Sequence, residues 1–251
     1  MQANSIDEVV HILDGIIADC RARSDPLGYF PALYRAVTLR VKEGIATGSF
    51  DDGPRMGTFD TAFANRYFAA YDAFRAGVAP SQCWKVAFDG TLSGRLIILQ
   101  DLLVGINAHI NLDLGIIAAE MFAGPSLPAF HADFDKINAI LGALLPQVEA
   151  TVGRYSPLLH VLAAIGGKSA TETLDFSMLA ARDDAWLHAT LLAALPPPAR
   201  EFAEQALDDK AAFLGRVVAQ PVWPVSAAVD VVRETESHDI PAVIAGLLAI
   251  A

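Results

Sequence analysis

The chain is poor in cysteine, in basic residues and in every signal for β-structure. Its two cysteines, Cys20 and Cys83, stand far apart in 251 residues and form no metal or redox motif. A disulfide framework and a thiolate metal cluster are thereby excluded, and two ordinary reduced, buried thiols are expected. Lysine and arginine number 18 against 29 acidic residues, a net charge of −11 with no basic cluster to offset it. A surface of that sign repels phosphate backbones, so no nucleic-acid partner is expected. No hairpin dipeptide separates alternating apolar runs, and no 20–50-residue repeat or low-complexity tract is present. The Gly-rich dinucleotide fingerprint and the P-loop are missing, and Glu8-Val9-Val10-His11 is a single Glu-x-x-His where the di-iron pattern needs two, which disfavours nucleotide and di-iron cofactors. The start, MQANSIDEVVHILD, has no basic segment leading into an apolar run. No secretory signal is expected, and a cytoplasmic location is.

Apolar residues are what the chain has in quantity: 53% of it is hydrophobic, with a mean hydropathy of +0.38. That is enough for a deep core. The most apolar stretch, 96–119, carries Asp101, His109 and Asp113 at or near its centre, which would be costly in lipid, so no membrane is expected.

Helical periodicity recurs along the whole chain. Ser5 to Glu8 reads as a capping box before a first helix that Pro26 ends. A second helix runs over 29–45. The run 49–60, SFDDGPRMGTFD, reads as a solvated acidic loop, a candidate lid, with a third helix opening at Thr58 or Asp60. That helix carries Phe63, Tyr67, Phe68, Tyr71 and Phe74, a broad aromatic face best read as core. Further helices follow around Cys83–Gly90, after Gly124-Pro125 with a kink at Pro146, and over 154–165. Beyond a Gly166-Gly167 break come helices over 169–195, 200–218 and 225–235. The apolar C-terminus 240–251 is expected to cap the core or to form a homodimer contact. The fold class is all-α: a single-domain multi-helix bundle around a buried central helix, 92–121, with a possible break at Gly105.

That central helix is apolar on every side, yet Asn107, His109, Asn111 and Asp113 interrupt it at every second position. At about 100° per residue, His109 and Asp113 share one face and the two asparagines a nearly opposite one. A buried carboxylate and imidazole cost several kcal/mol unless they are compensated.

The string Asn107-Ala108-His109-Ile110-Asn111-Leu112-Asp113-Leu114 carries a resemblance. With Phe63-Ala64-Asn65-Arg66-Tyr67-Phe68 before it and Ala181-Arg182-Asp183-Asp184-Ala185-Trp186 after it, the chain resembles a bacterial, mainly actinobacterial, all-helical family of unknown function. The likeness covers roughly residues 25–218. It implies a helical fold and shared polar positions at Asn107, His109, Asn111, Asp113, Arg66, Arg182 and Trp186. It implies no activity. The His-x-x-x-Asp spacing also echoes helical zinc phosphoesterases, as an analogy of spacing only.

Three functional readings stay open. In the leading one the chain is a small-molecule enzyme with cyclase, isomerase or lyase chemistry on an apolar metabolite. His109 is the acid/base, Asp113 orients it, Arg66 and Arg182 balance charge, and Asn107 and Asn111 polarise the substrate. In the second, a hydrolase holds one divalent metal through His109 and Asp113, with His131, Asp133 or His188 completing the ligand set. In the third, a non-enzymatic ligand-binding or scaffold protein uses the polar cluster to fix helix register.

Overall fold

A computed structural model describes residues 1–122, 124–162 and 170–250. Eleven α-helices and no strand occur among the described residues. They are α1 (Ile6–Ala22), α2 (Tyr29–Ala46), α3 (Gly53–Arg75), α4 (Gln82–Leu92), α5 (Ile98–Ala108), α6 (Gly115–Met121), α7 (Ser126–Tyr155), α8 (Ala170–Ala194), α9 (Pro197–Ala219), α10 (Val225–Thr235) and α11 (Ile240–Leu248). A short 3-10 turn, Pro26–Gly28, leads into α2.

The central rod consists of α5, a π-helical segment His109–Leu114 and α6. It feeds two apolar clusters at once. Val104, Ala108, Leu112 and Ile116 pack into one, and Ile110, Leu114, Ile117 and Ala118 into the other. This two-sided burial explains why its sequence is apolar all round. The stretch Ile98–Met121 is long and apolar enough to cross a membrane, but 83% of its most apolar window is buried inside the fold.

The rod is not broken at Gly105. That glycine lies within α5, and Phe30 of α2 occupies the space a side chain would take; a Cβ there would sit 2.6 Å from Phe30 Cδ2. The irregularity falls four residues later, at His109, where the backbone widens to π geometry. Such segments occur mostly as single turns inside α-helices, frequently at functional sites. The rod begins at Ile98 rather than Leu92. Its first turn is held by Glu236, whose carboxylate accepts from Ile98 N (3.1 Å) and from Ser156 Oγ (2.5 Å).

Two segments depart from the sequence reading for identifiable reasons. The run 49–60 is mostly helix: α3 starts at Gly53, with the Asp52 side chain capping Arg55 N and a proline in the first turn. Asp-Gly-Pro therefore acts as a start signal rather than a loop signal. Nor is the segment before it a free lid, since buried Asp133 accepts from Asp51 N (2.7 Å), Asp52 N (3.1 Å) and Arg55 Nη2 (2.8 Å). The triproline both stops α8 and opens α9, since Pro196 is the N-cap and Pro197 the first helical residue.

Elsewhere most helices fall where the sequence places them, with smaller differences. Ser5 accepts from Glu8 N (3.2 Å), while the Glu8 carboxylate returns to Asn4 N (2.8 Å) instead of closing the box on Ser5. Pro146 lies inside α7 without ending it, and α7 runs to Tyr155, through the start expected for a separate helix at 154. The end of that helix and the Gly166-Gly167 break lie outside the described residues. In α11, Val243, Ile244 and Leu247 are fully buried. The apolar C-terminus packs into the main core, as a cap on it.

Candidate active site

Asp113 is the hub of the buried cluster. Its Oδ1 accepts from Arg66 Nε of α3 at 2.9 Å. Its Oδ2 accepts from the indole Nε1 of Trp84 in α4 at 2.9 Å, and lies 3.1 Å from His109 Nδ1. Burial alone would raise the carboxyl's pKa; the His109 hydrogen bond and the Arg66 guanidinium outweigh it and hold the group below its ordinary value. Asp113 is therefore a carboxylate at neutral pH. Burial pushes the His109 pKa down, against the pull of Asp113, so the imidazole is neutral. Because Asp113 only accepts, Nδ1 carries the ring's proton and Nε2 keeps a free lone pair.

That lone pair sits in an aromatic cage. Phe63 stacks on the imidazole at 3.6 Å between ring centroids and 8° between planes. Tyr34 meets it edge-on at 4.8 Å, and Phe30, Trp84 and Tyr67 lie at 5.9, 6.0 and 6.4 Å. His109 Nε2 and Tyr67 Oη are buried without a hydrogen-bond partner among the described residues. So is Oδ2 of Asp60, one turn before Phe63 on α3. Burial raises the Asp60 carboxyl to about 7. Burial first, and then the charges of Asp60 and Asp113, push up the Tyr34 phenol. One carboxyl is held below the ordinary carboxylate range and the other is raised to about 7. Environments that drive two titratable groups apart in this way mark acid and base positions.

The structure brings together three of the expected site residues, His109, Asp113 and Arg66, and sends the others elsewhere. Asn107 and Asn111 face away from the imidazole. Asn111 Nδ2 donates to Asn107 Oδ1 (3.0 Å), and Asn107 Nδ2 donates to Ala211 O of α9 (2.8 Å). They fasten the rod to α9, the role an amide takes where backbone groups need partners. Arg182 does not balance Asp113. Its Nη2 donates to Phe134 O (2.6 Å), its Nε donates to Asn138 Oδ1, and its guanidinium lies 4.3 Å from the Phe134 ring centroid. Bonded to neutral acceptors, it is pushed down by burial to about 10. Trp186 packs on His131 at 4.3 Å and on Phe134 at 5.0 Å.

The expected metal set is not assembled either. His131 is half exposed on α7, its Nε2 3.6 Å from Asp135. His188 Nε2 is 3.9 Å from Asp184, and Asp133 is engaged as described above. Among the described residues no three His, Cys, Asp or Glu side chains gather as a metal site. Both cysteines are free and buried, and burial raises both thiols.

Sequence reading missed Trp84, Tyr34 and Asp60. A signal existed for the first, because a buried indole N–H needs an acceptor and Asp113 needed donors. Nothing in the sequence paired Tyr34 or Asp60 with His109.

Fold and site together define an all-helical protein with a buried histidine and aspartate, held by a half-buried arginine, at a π-helical turn. The chain belongs to the family of unknown function DUF5995, whose model matches residues 6–221. No curated protein and no solved structure matches it.

Proposed function

We propose that the chain is a small-molecule enzyme that moves a proton with His109, in cyclase, isomerase or lyase chemistry without a redox cofactor. One observation carries this reading: Nδ1–H is held by Asp113 while Nε2 is left as a buried, unpaired base inside five aromatic rings. Leaving such an atom unpaired costs about 1–3 kcal/mol; Nδ1 of His188 is unpaired as well, so what singles out His109 is the unpaired nitrogen together with the Asp113 hold and the aromatic cage.

A substrate C–H or O–H placed against Nε2 gives up its proton there. The imidazolium so formed is stabilised by the Asp113 carboxylate, itself held by Arg66 and Trp84. Asp60, raised by burial to about 7, is the acid that returns a proton. Asp113, Arg66 and Trp84 are positioning residues. The rings that line the site select an apolar or aromatic substrate, and half-buried Phe63, flat on the imidazole, is the side chain its entry must displace.

The test is exchange with solvent. Wild-type and His109→Gln protein are incubated with a bacterial small-molecule extract in heavy water, and the solutes compared by mass spectrometry. The expected result is a solute of low polarity that gains deuterium or changes mass with the wild type only. Identical profiles overturn the proposal.

A second reading, the cluster as a register-fixing knot, is favoured by the full satisfaction of Asp113, both of whose oxygens have donors. It predicts that His109→Leu with Asp113→Leu keeps or raises thermal stability and that no solute is turned over. The metal-dependent alternative has the least support, because both Asp113 oxygens are already committed and His109 Nε2 is the one free donor of the pair.

A further inference from the structure

A groove of about 690 Å³ opens between α4, α9 and α10, away from the His109 cluster. Its volume lies within the range of small-molecule sites. Four of the chain's eighteen basic residues line it, Lys85, Arg95, Arg216 and Arg233, against two carboxylates, Asp89 and Asp230. Both carboxylates are already neutralised within the groove wall: Lys85 pairs with Asp89, and Arg233 Nη2 with Asp230 at 2.6 Å. That leaves Arg95 and Arg216, neither of which forms a side-chain hydrogen bond or ion pair with the described residues. In a chain of net charge −11, two unpaired guanidinium groups in one concavity form a local positive field against the general sign.

The groove is also built. Arg233 Nη1 donates to Arg95 O (2.9 Å) and Ser93 Oγ accepts from Arg95 N (3.2 Å), so the segment carrying Arg95 is fixed from both sides. Its floor is apolar, with Leu96 and Val229 buried and Val86 half-buried beside them.

We propose that this groove binds a soluble amphiphilic anion, a carboxylate or phosphate ester with an apolar body. Arg95 and Arg216 take the anionic head and the Val86, Leu96 and Val229 floor takes the body. Guanidinium groups suit both heads, since their fork of N–H donors matches paired oxygens. This site is independent of the proton-transfer reading and does not stand or fall with it.

Isothermal titration with octyl phosphate, octanoate, octylamine and inorganic phosphate tests the assignment. One molecule of octyl phosphate or octanoate is expected to bind per chain, weakening in high salt. Octylamine is expected not to bind. Inorganic phosphate is expected to bind more weakly than octyl phosphate by about tenfold or more, for want of an apolar body. Arg95→Ala with Arg216→Ala should weaken the anions by about tenfold or more. Both side chains are exposed, so the melting temperature of the free variant should stay at the wild-type value and the loss reads binding alone. His109→Gln should bind as the wild type does. Failure of both octyl anions to bind, equal binding of octylamine, phosphate as tight as octyl phosphate, or an unaffected double variant would each overturn the proposal.

Discussion

Phe63 covers His109 face to face, 3.6 Å away and 8° from parallel. A ring in that position desolvates the imidazole from one side, and desolvation is the main cause of its lowered pKa. Phe63→Ala should therefore raise the His109 pKa toward the ordinary 6.5, read by an NMR titration of the ring protons. His188, which is also lowered by burial but lies on α8, is the internal control and should not move. An unchanged His109 would mean that Phe63 is no cover.

Asp60 and His109 impose opposite pH dependences on stability. The folded His109 pKa lies below the unfolded 6.5, so its contribution is present above 6.5 and lost as the pH falls through the folded value. Asp60 is raised from 3.8 to about 7, so its contribution is full below 3.8 and lost as the pH rises toward 7. Asp60→Asn should stabilise the fold relative to wild type at about pH 8, by about 1–3 kcal/mol, and lose that advantage near about pH 4. Urea midpoints at the two pH values measure it. The same gain at both would show that the carboxyl is not held protonated.

Asp113 depends on its donors. Trp84→Phe keeps the ring and deletes the N–H, and should cost about 1.5–3 kcal/mol, the usual range for a hydrogen bond to a charged group. Arg66→Met removes a cation that helps hold Asp113 ionised. Asp113 stability is present above 3.8 and lost as the pH falls through its lower folded pKa, so the acid-unfolding midpoint of Arg66→Met should move to higher pH. Circular dichroism against pH reads both variants, and wild-type behaviour in both would refute the hub.

Gly105 is the position least able to accept a methyl group without disturbing the site. Its Cβ would meet three Phe30 atoms between 2.6 and 3.0 Å, and Phe30 is part of the cage around His109. Gly105→Ala should destabilise by about 1–3 kcal/mol despite the better helix propensity of alanine, and should shift the His109 ring resonances. Gly153, where a Cβ would meet nothing within 4 Å, is the control, and Gly153→Ala should be neutral or mildly stabilising.

How far the sequence could be read follows from the range of each interaction. His109 with Asp113 was legible because four residues on one helix are spatial neighbours. Trp84, 29 residues before Asp113, was not, because only tertiary packing brings α4 to the rod. Arg66 and Arg182 looked equivalent as cations, and only the placement of α3 and α8 separates the one that reaches the carboxylate from the one that serves α7. The opening of α3 was misread because Asp-Gly-Pro carries both a turn signal and a capping signal. Nothing in the side chains announced the π segment.

Upstream, Asn107 ties the rod to Ala211 of α9. Downstream, Gly115 sits so close to α8 that a Cβ would be 2.9 Å from Ala185 O. A rod of constant pitch has one rotational phase along its length, and these two seats need not share it. The six residues His109–Leu114, in π geometry, lie between the two seats. A π turn spans about one residue more than an α turn, so deleting one residue there would let the rod close as plain α-helix with both seats kept near their present phase, while the spacing of His109 and Asp113 inside the segment would change. The extra residue thus sets the geometry of the histidine without altering the docking of α8 and α9.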